Sequence, residues 1–268
     1  MKRRTLLMSS ILAGAFFGTA ALAQSLPPLE QKETYKVGFA QMESNNPWRI
    51  AETKSFLDTA ESCGWDLIAT DAAGSAAKQV ADVDSMIAQG IDVLFLPPRE
   101  EKPLIPAVMK ARAAGIPTFL VDRSVDPAVA KPGEHFVSFL GSDFIDQGKR
   151  AAEWLMENFE GDTGIIVQLE GTTGSSPAND RKKGFDDAIA ADDRFEIVAS
   201  QSGDFARDLG RQVMETLLQA HPDVNVVYAH NDEMAIGAIQ ALELAGRKPG
   251  EDVTIVSIDG TRDALQAI

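Results

Sequence analysis

The chain carries one cysteine, Cys63, in 268 residues. A lone thiol excludes an internal disulfide framework and any cysteine-rich zinc or iron–sulfur site. Histidine is nearly as scarce. His135, His221 and His230 are scattered, and none has a ligating partner at i+3 to i+5, so structural roles and no bound metal are expected. Positive charge is also in short supply: 25 Lys and Arg stand against 40 Asp and Glu, for a formal net charge of −15. That balance excludes duplex nucleic acid as a partner and disfavours anionic lipid. Beyond the N-terminal segment no apolar run approaches a membrane span. No G-x-S-x-G elbow appears, which leaves serine-nucleophile chemistry without support. The glycine-rich stretch 171–176, GTTGSS, lacks the G-K-[ST] of a phosphate loop and the G-x-G-x-x-G of a dinucleotide site, and no cofactor is expected. A neutral or cationic small molecule remains open as ligand.

What is present begins with an address. Lys2-Arg3-Arg4 is followed by an uncharged stretch over 5–20 and by Ala21-Leu22-Ala23, with small residues at −3 and −1 of a cleavage point. Residues 1–23 therefore read as a secretory signal peptide, which implies an exported protein of the periplasm. No cysteine stands at the cleavage point to take a lipid anchor. Cys63, in a helical pattern before Gly64, reads as a buried free thiol.

From residue 35 the chain alternates. Short apolar runs predict strands over 35–41, 65–70, 91–96, 117–122, 136–140, 164–169, 195–200, 224–229 and 253–258. Helical spacing fills the intervals over 47–63, 76–89, 104–114, 144–159, 178–191, 209–220 and 233–245, and a last helix begins at Arg262. Continuous apolar strands, each followed by a helix, indicate parallel sheets covered on both faces. Gly64, Gly90, Gly115 and Gly246 follow helices where a left-handed C-terminal cap is needed. The fold class is α/β, doubly wound. A pause over 125–134, with Pro127, Pro132 and Gly133, suggests two lobes, 24–139 and 140–268, joined by a crossover.

In such folds ligands sit beyond the carboxyl ends of the strands. Those ends are rich in planar polar groups: Asn45, Asn46, Trp48 and Arg49; Asp122, Arg123 and Ser124; Glu170, Thr172, Thr173, Asn179, Asp180 and Arg181; Asp204 and Phe205; Asn231 and Asp232; Asp259. Sugar hydroxyls both donate and accept, which suits carboxylates, guanidinium forks and amides together. The C–H face of a sugar ring packs on an aromatic plane, which Trp48 or Phe205 can supply. Singly, each position also has a structural reading: Asp232 as a helix cap, Trp48 as core. Their recurrence at nearly every strand end favours binding.

Six stretches carry a resemblance: NNPWR (45–49), FLVDRS (119–124), LEGTTGSSPANDRKKGF (169–185), SQSGDF (200–205), YAHNDEMAIGAIQAL (228–242) and SIDGT (257–261). From residue 35 to 268 the chain resembles periplasmic sugar-binding proteins of the ribose/galactose type, the receptors of ABC transporters, which share their fold with the ligand domain of LacI-type repressors. Trp48-Arg49, Asp122-Arg123-Ser124, DRKKGF and SQSGDF look most like the galactofuranose-binding branch. The resemblance implies a monosaccharide held by Asn46, Trp48, Arg49, Asp122 and Arg123 from the first lobe. Arg181, Asn179, Phe205, Asn231 and Asp259 would hold it from the second, with Gln41 and Glu170 near the same cleft. It implies no catalytic residue, an ABC permease as partner and a monomer. Chains of this family run on past the helix near Arg262, so a first lobe short of its last strand and helix is expected.

Three rivals stand beside this reading. A sensory module would use the same fold to present a sugar to a chemoreceptor or sensor kinase. A repressor would need an N-terminal helix-turn-helix where this chain has a signal peptide. An exported glycosidase would need two carboxylates at fixed spacing across a cleft.

Overall fold

The computed structural model describes residues 29–268, so the export-signal reading of residues 1–23 lies outside the described residues. Nine strands and eight helices alternate within them. The first sheet contains β1 (Lys36–Gln41), β2 (Asp66–Asp71), β3 (Val93–Leu96), β4 (Thr118–Val121) and β5 (Ser138–Leu140). All are parallel, in the order β2-β1-β3-β4-β5. The second contains β6 (Gly164–Glu170), β7 (Phe195–Ser202), β8 (Val226–Ala229) and β9 (Thr254–Val256), parallel in the order β7-β6-β8-β9. Each sheet is wound outward from its first strand in both directions, which places a crevice at the carboxyl ends of its strands. Because β5 pairs with β4 through Leu140, the first sheet runs one residue past the expected 139/140 division.

The helices are α1 (Pro47–Cys63), α2 (Ala76–Ala88), α3 (Ile105–Ala113), α4 (Phe144–Asn158), α5 (Ser176–Ile189), α6 (Arg207–Ala220), α7 (Asp232–Leu244) and α8 (Arg262–Ala267). Helix α5 starts two residues before its expected position because Pro177 sits at the first helical positions, where its fixed φ is favourable and its missing N–H costs nothing. The four expected glycine caps all lie at positive φ, from 66° at Gly64 to 76° at Gly246. Among the described residues no helix is long and apolar enough to cross a membrane.

Strand alternation sorts the core. In the second lobe Val167, Leu169, Val227 and Ala229 face α6 and α7, while Ile166, Val226 and Tyr228 face α4 and α5. In the first lobe Leu94 and Leu96 pack with α2 and α3. The opposite face carries a ladder of rings, with Phe39 on Phe56, Phe56 on Phe95, and Phe95 on both Trp65 and Phe119.

Cys63 is exposed, not buried. In the last turn of α1 the buried position falls to Ala60, and the thiol lies on the solvent side of the helix.

Candidate functional site

The crevices of the two sheets face each other across a cavity of about 470 Å³. Asn46, Trp48, Arg49, Asp122 and Arg123 line it from the first lobe, and Arg181, Phe205, Asn231 and Asp259 from the second.

Each side chain is placed by local structure. Asn46 caps α1, its Oδ1 accepting from Arg49 N at 3.0 Å, and Pro47 follows. This sets Arg49 on the first turn, buried and turned inward. Its Nη1 donates to Glu52 Oε2 at 2.6 Å and its Nη2 donates to the Asp122 carboxylate. Asp122 leaves β4 in the left-handed region, φ 57°, which an aspartate tolerates better than most residues. Arg123 is buried beside it, and its Nη1 donates to the Arg99 carbonyl at 2.9 Å. Its Nε has no acceptor among the described residues.

The second lobe repeats the pattern. Arg181 donates from Nε to Gln147 at 2.9 Å, from Nη1 to the His230 carbonyl at 2.5 Å and from Nη2 to Asp259 at 3.5 Å. Its position depends on two glycines. A Cβ on Gly148 of α4 would lie 2.1 Å from the Arg181 carbonyl, and one on Gly184 of α5 would lie 2.0 Å from the Ile145 carbonyl. Only bare backbone lets the helices approach this closely.

Asn231 caps α7, accepting from Met234 N at 3.1 Å, and its Nδ2 donates to the Phe205 carbonyl at 3.1 Å. The cap is thus Asn231 and not Asp232. The Asp232 carboxylate instead accepts from Ser257 Oγ at 2.5 Å, Gly260 N at 2.8 Å and Thr261 N at 2.6 Å, which holds the turn that presents Asp259. Phe205 also has left-handed backbone, φ 58°. Its ring lies between two guanidinium groups, 5.2 Å from that of Arg123 and 5.9 Å from that of Arg181. Trp48 is 54% exposed at the mouth of the cavity, so it is not a core residue.

The cavity lining carries Arg49, Arg123, Arg181 and Arg262 against Asp122 and Asp259, with Glu52 behind Arg49. Burial opposes the charge on Arg49, but Asp122 and Glu52 outweigh it and raise its pKa. Burial pushes the Glu52 carboxyl up against the pull of Arg49. Burial, and then the nearby Asp232 and Asp122 charges, lift Asp259 to about 6 in spite of Arg181. For Arg123, burial and then the Arg49 charge work against ionisation. A guanidinium does not give up its proton in proteins, so the cost remains with the folded chain until acceptors reach it. His230 is buried under the site, its Nδ1 accepting from Gly171 N at 3.3 Å, and burial lowers it to about 3.

Three expected residues lie outside the cavity because nearer partners take them. The Gln41 amide donates to Glu52 at 2.9 Å and Thr53 at 3.1 Å, so it braces the carboxylate behind Arg49. Glu170 pairs with Lys182 at 3.2 Å. Asn179 donates to Glu101 of the other lobe at 2.8 Å. Conversely, Phe144, Gln147, Ser142 and Thr261 line the cavity without having been read from the sequence. Phe144 packs 5.3 Å from the Arg181 guanidinium.

Residues 37–268 match the family described as periplasmic binding protein domain. The galactofuranose-binding protein of Escherichia coli (strain K12) is 39% identical over 271 residues, covering 100% of this chain and 81% of that protein. A solved protein from Mycobacterium smegmatis in complex with β-D-fucofuranose is 42% identical, with a TM-score of 0.82 over 87% of this chain and 76% of that one. The binding component of the arabinose ABC transporter from Shewanella sp. ANA-3, bound to L-arabinofuranose, is 38% identical, with a TM-score of 0.81 over 87% and 76%. With two parallel doubly wound sheets, a cavity between their carboxyl edges and a match of this extent, the chain belongs to the periplasmic binding protein family.

Proposed function

We propose that the protein captures a monosaccharide, galactofuranose or a related aldose, between its two lobes and delivers it to an ABC sugar permease. The carrying observation is the ring of interleaved donors and acceptors in the cavity. Arg49–Asp122 from one lobe faces Arg181–Asp259 from the other, and the Phe205 ring lies between Arg123 and Arg181. A polyol hydroxyl both donates and accepts, so a sugar satisfies guanidinium forks and carboxylates at once. Arg123 Nε lacks an acceptor among the described residues, and a sugar oxygen supplies one. The relatives' sugars, named above, support a five-membered ring.

Binding draws the lobes together only as far as the ligand prefers the closed state. The reading involves no bond-making. Asp259, raised to about 6, and Glu52, also raised by burial, are features a glycoside hydrolase would share. A thermal-shift and calorimetric screen with galactofuranose, arabinose, ribose and galactose tests the proposal. A rise in midpoint with a free monosaccharide and no release of reducing sugar from glycosides is expected. Turnover, or indifference to every sugar, overturns it.

A further inference from the structure

Beside the cavity, and outside its lining, a row of polar contacts joins the lobes. The loop that follows β3 supplies most of them. Arg99 is largely buried. Its Nη1 donates to Glu43 of its own lobe at 2.6 Å, and its Nη2 crosses to both carboxylate oxygens of Asp204, at 3.2 and 3.3 Å. Glu101 makes two crossings: its N donates to the Gly174 carbonyl at 2.9 Å, and its carboxylate accepts from Asn179 at 2.8 Å. Ser124 N donates to Ser176 Oγ at 2.9 Å.

These contacts are wired to the cavity. The Arg99 carbonyl holds Arg123 Nη1. Asp204 precedes Phe205, and the two occupy consecutive left-handed positions, φ 53° and 58°. Such backbone persists only where surrounding structure enforces it. Here the Asp204 side chain is gripped from one lobe while the Phe205 ring meets a guanidinium from each. Glu43 is buried and its Oε1 has no partner among the described residues, and Arg99 is the counter-charge that its own lobe supplies whether or not Asp204 is near.

We propose that Arg99–Asp204 and Glu101–Asn179 form a polar latch that biases the lobes toward closure and so sets ligand affinity without touching the ligand. Contacts that exist only in the closed form add to the closed state alone, and any ligand preferring that state binds more tightly for it. The affinity part of this inference rests on the sugar-receptor reading; the conformational part does not.

Asp204→Asn is the informative variant. It keeps the shape, an acceptor oxygen and tolerance of left-handed backbone, and it leaves Arg99–Glu43 intact. Asn179→Ala removes the other crossing. One dye on the exposed Cys63 of α1 and one on Glu157→Cys of α4 report the interlobe distance by energy transfer. In sugar-free protein, Asp204→Asn is expected to move the population to longer interlobe distances than the sugar-free parent shows. Sugar affinity should then fall about five- to tenfold through faster release. The sugar-free melting midpoint should stay within about 2 °C of the parent. Asn179→Ala should act in the same direction, more weakly. An unchanged sugar-free distribution overturns the latch, even if affinity falls, because Asp204 would then act only through Phe205. If the parent binds no sugar, the receptor reading fails, and the energy-transfer arm still decides the latch.

Discussion

The two sheets share a winding order, β2-β1-β3-β4 in the first lobe and β7-β6-β8-β9 in the second, but they are filled differently. The second sheet is covered on both faces by buried clusters, and its helices meet through bare glycine backbone. The first has one buried cluster, under α2 and α3. Its other face is a ladder of rings beneath α1 in which Phe39 is fully buried but Phe56, Trp65, Phe95 and Phe119 only partly, and Ile50 and Leu57 stay exposed. Function, by contrast, is divided evenly. Each lobe offers an arginine from the helix after its first strand and an aspartate from the end of its fourth, both aspartates at positive φ. Binding groups follow from topology and strand-end geometry, and stability follows from what covers the sheet. The two are therefore separable by mutation.

The largest contrast should come from core rings. Phe185 is fully buried and stacked on Tyr228 at 3.9 Å, so Phe185→Ala should cost about 3–5 kcal/mol in chemical denaturation. Phe56→Ala, at a partly buried ring of the ladder, should cost about 1–2 kcal/mol. Equal losses would break the contrast between the lobes. Next is the mirrored pair. Arg49→Ala and Arg181→Ala should each weaken sugar binding by about 3 kcal/mol, more than a hundredfold by calorimetry, since each leaves a partly buried carboxylate unpaired. If either variant binds normally, the site belongs to one lobe. Gly148→Ala should imitate Arg181→Ala in binding by displacing the Arg181 backbone.

Smaller effects come from proton linkage. The folded pKa of Asp259, about 6, lies above its ordinary 3.8. Between those values the native chain holds the extra proton, so the charge cost is full above pH 6 and is relieved as pH falls toward 4. His230 runs the other way, at about 3 against an ordinary 6.5, so its contribution is full above pH 6.5 and is lost as pH falls toward 3. Asp259→Asn removes only the first. In denaturation curves without sugar it should be more stable than the parent at pH 7, by about 1 kcal/mol, and lose that advantage by pH 4. Sugar binding by the same variant should fall at both. A constant difference across pH would mean that Asp259 is not the titrating group. Smallest of all, Cys63→Ser should change stability by less than about 0.5 kcal/mol, as befits an exposed position on the sparser lobe.

Much of this was legible in the sequence. Strands buried on both faces read as unbroken apolar runs, and helices announce their ends by glycines such as Gly64. The strand-end rule located Arg49, Asp122, Arg181 and Asp259 because topology alone carries them to the crevice. It could not say which polar residue there would be claimed first by a neighbour. Gln41 stands at the end of β1, as the rule asks, but Glu52 lies one helical turn behind Arg49 and takes its amide. Asn179 is two residues from Arg181 on the same helix, and that spacing turns it toward Glu101 instead. Phe144 opens α4 and is buried. It reaches the cavity because Gly148 and Gly184 let α4 and α5 close up, a contact no local pattern reports. Cys63 was misread because thiols are usually buried, whereas the face of a helix at its last turn is settled by packing.

The chain has three tryptophans, and only Trp48 lines the cavity; Trp65 belongs to the aromatic ladder and Trp154 lies on the outer face of α4. An indole half in water at the rim of a closing crevice loses solvent as the gap narrows, and its emission shifts to the blue. The protein thus carries a built-in optical gauge of its own occupancy. Titrations can be followed by intrinsic fluorescence at nanomolar to micromolar protein, without dyes, with the other two indoles as a constant background.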